Sequence, residues 1–167
     1  LLYEKMPYIG GMMYPGSRPQ FKADVARALD YFDYKLKNSN VKLFLDAEVT
    51  SELIDEINPD SLVVAMGAKP ILPEIPGIDS PNVTSAIDVM RDIKKYKGSK
   101  AVVLGGGEVG CEAACYLADN GFKVTILEIQ PKILIEDTNM VMKAHLLDLV
   151  EKKGIEVFTE TCATRII

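Results

Sequence analysis

Apolar and polar positions alternate along this chain in two rhythms. Ala101-Val102-Val103-Leu104 and Lys123-Val124-Thr125-Ile126-Leu127 are short apolar runs rich in β-branched residues, the composition of buried parallel strands. Between them, residues 108–120 place Val109, Ala113 and Leu117 on one helical face, with Gly121 as the C-terminal stop. Further apolar runs predict strands at 1–5, 41–45 and 155–159, and a buried one at 61–68 that ends in small residues. Phe21, Val25, Ala28, Leu29, Phe32 and Leu36 recur at helical spacing over 20–36, and the stripe reads as core. Residues 50–57 read as a short capped helix. Ser85 and Asp88 open a helix running to about Tyr96. Thr138 is expected to cap a helix to Lys153, with Val141, Ala144, Leu147 and Val150 inward and Gly154 closing it.

Strands alternating with helices give an α/β class with a parallel sheet, of Rossmann-like, doubly wound type. Pro70, Pro73, Pro76, Gly77 and Pro81 form a stiff, extended stretch and mark the domain boundary. The expected division is therefore 1–80 and 81–167.

Composition narrows the picture. The chain has 167 residues, 48% apolar and 26% charged, enough to build a core. A net charge of −5 without a basic cluster argues against nucleic acid or an anionic membrane surface as the main partner. No apolar run approaches the length of a membrane span and no signal peptide is visible, so a soluble, cytoplasmic protein is expected. Cys111, Cys115 and Cys162 are too few and odd in number for a disulfide framework, which points to reduced thiols. With no initiator Met and a first segment that reads as mid-strand, the chain is expected to be a piece of a longer polypeptide.

The chemistry is concentrated in Gly105-Gly106-Gly107-Glu108-Val109-Gly110, which follows one strand and opens a helix. A second strand then ends on Glu128, 18 residues past Gly110. Strand, Gly-x-Gly-x-x-Gly, helix, strand and acidic residue together form the dinucleotide-binding fingerprint. Gly105 permits the tight turn, Gly107 lets a pyrophosphate approach the backbone, and Gly110 lets helix pack on strand. The helix N-terminus offers unpaired N–H groups and partial positive charge to the phosphates. Glu128 can accept hydrogen bonds from a ribose diol. A methyltransferase-type loop also binds a ribose through such an acid, but generally carries another acid just before its glycines, where Leu104 stands here. Neither Ile129 nor Gln130 offers a cation for a 2′-phosphate, and Glu128 would repel one, so NAD(H) is favoured over NADP(H).

Elsewhere the signals are plainer. Leu1-Leu2-Tyr3-Glu4-Lys5 repeats the strand-then-carboxylate pattern of Ile126-Leu127-Glu128, and Gly10-Gly11 provides a backbone-exposed turn. Lys94, Lys95 and Lys97 form a solvated helix end. There is no Cys-x-x-Cys. Cys111 and Cys115 sit one helical turn apart, which an α-helix does not readily close into a disulfide. A zinc site built from these, His145 and Cys162 lacks the expected spacing, and His145 reads as a surface histidine. No serine or cysteine nucleophile motif is present. Redox chemistry would belong to bound cofactors.

The segments "LLYEKMPYIGG", "LVVAMGAKPILPEIPGI", "AVVLGGGEVGCEAACYLADNGFKVTILE" and "GIEVFTET" resemble the flavoproteins of the pyridine nucleotide-disulfide oxidoreductase fold. The stretch "SRPQFKADVARALDYFDYKLKNSNVKLFLDAEVT" is similar to the C-terminal region of the Old Yellow Enzyme-like group that contains 2-enoate reductase, 2,4-dienoyl-CoA reductase and trimethylamine dehydrogenase. The resemblance covers essentially the whole chain.

It implies that Glu4 and the adjoining Lys5 belong to the FAD ribose site, and that Gly10 and Gly11 approach the flavin's phosphates. Glu48 and Val49 would contact its adenine, and Ala65, Met66, Gly67 and Ala68 would pass close to FAD. Gly105, Gly106, Gly107, Glu108, Val109, Gly110 and Glu128 would hold NADH, with Glu112 near the nicotinamide or, alternatively, in a helix-face ion pair. In such enzymes NADH passes hydride to FAD, and electrons cross a [4Fe-4S] cluster to FMN in an N-terminal (β/α)8 barrel that reduces a C=C bond. None of the barrel, cluster or FMN site lies in these residues.

The family's first glycine fingerprint and its strand, at the centre of the FAD sheet, are missing. The implied arrangement is thus an NAD-binding half plus an incomplete FAD-binding half, with unpaired edges open to rearrangement or self-association. Two other readings stay open. One is a redox-inactive module holding ADP or NAD structurally; the other is a thiol-disulfide reductase, which the missing cysteine pair disfavours.

Overall fold

The computed structural model describes residues 1–135 and 140–167. The chain divides into two compact units, Leu1–Lys69 and Pro70–Ile167.

In the first unit, β1 (Leu2–Tyr3) pairs in parallel with β2 (Leu43–Phe44), Leu2 opposite Leu43 and Tyr3 opposite Phe44. The rings of Tyr3 and Phe44 stack at 4.7 Å. Between the strands lie α1 (Met13–Gly16), a 3-10 turn at Gln20–Lys22 and α2 (Ala23–Lys37). α3 (Ser51–Ile57) follows, with the Thr50 hydroxyl accepting the N–H of Leu53 as cap and Asn58 ending it in the left-handed region at φ 45°.

Two expectations for this unit are corrected. The stripe on α2 is half-buried rather than core, with no α2 residue buried and Phe32 exposed. Residues 61–68 form no strand. They join no ladder among the described residues and leave Leu62, Val63, Val64 and Met66 exposed. The physical reason is pairing: an apolar run becomes a buried strand only where a neighbour supplies ladder hydrogen bonds and helices cover its faces, and among the described residues no strand pairs with it. Only Pro15 and Pro19 are buried among the described residues of this unit.

The second unit is better filled. β3 (Lys100–Leu104), β4 (Lys123–Leu127) and β5 (Glu156–Phe158) form a parallel sheet in the order β3-β4-β5. Leu104 lies opposite Leu127, and Leu127 opposite Phe158. α4 (Ala86–Arg91) starts at Ser85, whose hydroxyl accepts the Asp88 N–H. It stops at Arg91, short of Tyr96, and a separate 3-10 turn spans Ile93–Lys95. α5 (Glu108–Asp119) connects β3 to β4, and α6 (Met140–Lys152) connects β4 to β5. Right-handed crossovers in a sheet that advances in one direction place both helices on the same face, and they pack on each other.

α5 is the centre of the core. Every residue from Cys111 to Leu117 is buried, because the sheet, α4 and α6 all pack against it. The small side chains Cys111, Ala113, Ala114 and Cys115 permit that close approach. Met90, Val124, Ile126, Leu146 and Val150 complete the core.

The inward faces differ from expectation in two places. Val109 is half exposed, since it stands at the free N-terminal turn. On α6 the buried positions are Leu146 and Val150, while Val141, Ala144 and Leu147 face out. A repeat of three drifts around a 3.6-residue helix, and the spacing of four from Leu146 to Val150 is the one that stays on the sheet side. Thr138, expected to cap this helix, lies outside the described residues. On the opposite face of the sheet, Val102, Leu104 and Phe158 are exposed.

Candidate functional site

The site lies at the carboxyl ends of β3 and β4, where the chain leaves β3 through the glycine turn. Gly105 has φ 101°, a conformation that only glycine adopts at little cost, and its N–H still completes the ladder to the Leu127 carbonyl at 2.9 Å. Gly110, on the first turn of α5, presses against Gly105; any β-carbon there would collide with the Gly105 carbonyl oxygen and meet Val103. Gly107 precedes α5 as its N-cap, and nothing lies within 4 Å of where its side chain would be. The turn is therefore packed on its inner side and open at Gly107, directly ahead of the unpaired N–H groups of α5.

Glu128 closes β4 and is 8% exposed. Its Oε2 accepts the Gly106 N–H at 2.6 Å and its Oε1 accepts the Gln130 N–H at 2.7 Å. The acid thus faces the glycine turn and is held there by two backbone donors. Glu108 begins α5 and, with Val141, Met142 and His145, lines an open cleft of about 460 Å³. Glu112 is 4% exposed within the buried run of α5.

The two α5 thiols are inert by position. Burial, reinforced by the negative charges around it, pushes Cys111 up to about 12. Burial likewise raises Cys115 to about 11, against the attraction of Lys153. The Cys111 S–H points at the Gly106 carbonyl, 3.4 Å away. Cys162 is exposed, and all three are free.

In the first unit the end of β1 repeats the strand-side part of this wiring, without a counterpart, among the described residues, of the bond to Gly106. The Glu4 Oε1 accepts the Met6 N–H at 2.8 Å, as Glu128 accepts that of Gln130. Glu4 N–H donates to the Phe44 carbonyl at 2.9 Å, and Glu128 N–H to that of Phe158 at 2.8 Å. The carbonyl of each acid accepts an N–H from just past the neighbouring strand, Ala47 at 3.0 Å and Thr161 at 2.9 Å. The residue that bends the chain there is left-handed in both, Asp46 at φ 53° and Glu160 at φ 51°.

Gly10 (φ 104°) lies against Leu29, which leaves no room for a side chain, whereas Gly11 (φ 48°) faces open space. Glu48 and Val49 follow the Asp46 bend directly, and Val49 is exposed. Lys5 is exposed beside Glu4, and residues 65–68 lie in an exposed stretch without regular structure. The glycine turn and Glu128 are thus brought together at the carboxyl end of one sheet, as are Glu4 and the Asp46 bend at that of the other.

Sequence reasoning missed Ile133 and Leu134, which cover the glycine turn. The Leu134 N–H donates to the Gly106 carbonyl at 2.8 Å, and Ile133 sits on the Gly106 α-carbon. The available signal was an apolar pair within the loop that follows Pro131.

A glycine turn open to an anion at a helix N-terminus, with a carboxylate fixed beside it at the end of the next parallel strand, defines a dinucleotide-binding α/β protein. Residues 16–167 match the family model described as pyridine nucleotide-disulphide oxidoreductase, and the chain belongs to that family, whose members bind FAD and NAD(P)H. It is 36% identical over 158 residues to the cinnamate reductase of Clostridium sporogenes, covering 93% of this chain and 23% of that protein. It is 33% identical over 170 residues to an NADH oxidase of Thermoanaerobacter brockii, covering 100% of this chain and 26% of the relative. Among solved structures, a 2-naphthoyl-CoA reductase in complex with 2-naphthoyl-CoA superposes with a TM-score of 0.92 at 32% identity, over 100% of this chain and 25% of that one. The chain therefore spans about a quarter of the length of these relatives. No helix among the described residues is long and apolar enough to cross a membrane.

Proposed function

We propose that this chain is the nicotinamide-binding region, with part of the FAD-binding region, of a flavin-dependent NADH oxidoreductase. The supporting observation is the carboxylate of Glu128, fixed 2.6 Å from the Gly106 N–H, beside a turn whose Gly107 face is open. The residues fit a dinucleotide. Gly107 and the α5 N-terminus meet a diphosphate, and Glu128, with lone pairs to spare after two backbone bonds, meets a ribose diol. In this reading residues 81–167 hold NADH. Residues 1–80 hold part of FAD, through Glu4, Lys5, Gly10, Gly11, Glu48, Val49 and 65–68. Glu108 and Val109 flank the diphosphate and Glu112 supports the nicotinamide end.

Bound NADH supplies a hydride to FAD. The role of this chain's residues is to bind and orient the nucleotide. In the intact polypeptide, a cytoplasmic enzyme in this reading, a C=C-reducing FMN barrel with a [4Fe-4S] cluster would be the outlet for those electrons, and it would lie outside these residues. The names of the relatives, a cinnamate reductase and a 2-naphthoyl-CoA reductase, support an activated unsaturated acid or thioester as the class of final acceptor.

Glu128 repels a 2′-phosphate, so NADH is the expected donor. The test is to titrate the protein with NADH and NADPH by nicotinamide fluorescence and to follow flavin absorbance in the intact polypeptide. Tighter binding of NADPH would overturn the cofactor assignment. Nucleotide binding without any bleaching of the flavin would favour a structural nucleotide site instead.

A further inference from the structure

We propose that Ile133 and Leu134 are positioning residues for the nucleotide: they touch none of it, but set the shape of the glycine turn by clamping Gly106. This inference rests on the reading of that turn as a dinucleotide site. Gly106 is engaged on every side. Its N–H is held by Glu128 Oε2 at 2.6 Å, and its carbonyl accepts the Leu134 N–H at 2.8 Å and faces the Cys111 thiol at 3.4 Å. Ile133 packs on its α-carbon, and the Glu128 Cβ would lie 3.3 Å from any added β-carbon. Of the three glycines that open the turn, Gly105 and Gly107 have nothing within 4 Å in the side-chain direction. The middle glycine alone faces protein.

Its lack of a side chain therefore makes room for Ile133, not for a phosphate. Ile133 is 9% exposed and Leu134 1%, although both belong to a loop between a strand and a helix. Leu134 also adopts φ 55°, a conformation that a leucine rarely takes and that persists only where its surroundings enforce it. Its N–H, turned back onto the Gly106 carbonyl, and its buried side chain provide that enforcement. The loop after β4 thus acts as a strap, fixing the amide whose neighbour at Gly107 receives the ligand.

A compensation experiment separates this from direct ligand contact. In the intact polypeptide, Gly106→Ala forces the new methyl into Ile133 and is expected to weaken NADH binding about tenfold or more, as overpacking does. The same substitution combined with Ile133→Ala removes the obstacle, and affinity should return to within roughly threefold of wild type. If Gly106 is small to admit the diphosphate, the double variant binds no better than Gly106→Ala, and the proposal fails. It fails equally if Gly106→Ala binds normally.

A second measurement needs no variant. In the ligand-free protein the Gly106 amide should exchange with solvent much more slowly than the Gly107 amide, and equal rates would overturn the clamp. If wild type binds neither NADH nor NADPH while Gly106 stays protected, the cofactor reading fails and the clamp stands as a feature of the turn alone.

Discussion

Replacing Glu128 measures how much of the site exists before any ligand arrives. The carboxylate is 8% exposed and accepts two backbone N–H groups, those of Gly106 and Gln130. A hydrogen bond to an ionised acceptor contributes about 1.5–3 kcal/mol, and a buried donor left without its partner carries a desolvation cost of about 1–3 kcal/mol. Gly106 is in the core of the turn and Gln130 is nearer water, so the two losses are unequal. Glu128→Ala is expected to destabilise the ligand-free protein by about 3 kcal/mol, a fall in Tm of roughly 6–12 °C for a chain of this size. Glu128→Gln keeps one carbonyl acceptor but sets an amide N–H against the other donor, so it should cost about 1.5–2 kcal/mol. The assay is a melt followed by circular dichroism without nucleotide, then repeated with saturating NADH. Wild type should gain stability from NADH, and both variants should lose most of that gain. An acid that served only the ribose would leave the ligand-free Tm of Glu128→Ala within a degree or so of wild type, and the argument from its two backbone bonds would be wrong.

Alkaline pH should weaken the second unit through its buried thiols. Cys111 and Cys115, raised from 9.0 to about 12 and about 11, stay protonated in the folded protein where the unfolded chain ionises. Their contribution is complete below pH 9 and is lost as pH rises through 11 to 12, at up to about 1.4 kcal/mol per pH unit for each thiol. Urea midpoints at about pH 8 and about pH 10.5 should show this fall, and Cys111→Ala should reduce its slope; an unchanged slope would contradict the assignment. Gly110→Ala drives a methyl into the Gly105 carbonyl oxygen and must lift α5 off β3. Equilibrium unfolding should record a loss of about 1–3 kcal/mol, with NADH binding abolished, and a variant of wild-type stability would mean that the turn is looser than described.

The parts legible in the sequence were those whose reasons are local. β3, α5 and β4 each carry their own periodicity, and the turn between β3 and α5 announces itself by glycines that the backbone requires. The end of β4 could be placed because the apolar run stops at Glu128, although its two bonds to backbone N–H groups carry no mark in the sequence. Residues 61–68 have the composition of a buried strand and are not one, because a strand is a property of its neighbours as much as of its residues. The phase of α6 is not legible in the sequence, because Val141, Ala144 and Leu147 are apolar without being inward. The strap at Ile133 and Leu134 has no sequence signature, because a loop has no period to set its two buried apolar residues apart. The left-handed bend at Asp46 was within reach, since aspartate tolerates that conformation, but nothing in the composition around Glu160 marks its counterpart.

Glu4 with Asp46, and Glu128 with Glu160, are two copies of one joint in which sequence identity matters little and wiring matters a great deal. The shared requirements are an acid one step past its strand and, two steps past the adjacent strand, a residue willing to reverse its handedness. A search for the same joint in other parallel sheets can therefore use the pair as its query, a carboxylate on one strand and a kink on the next. A lone acid would miss what holds it in place.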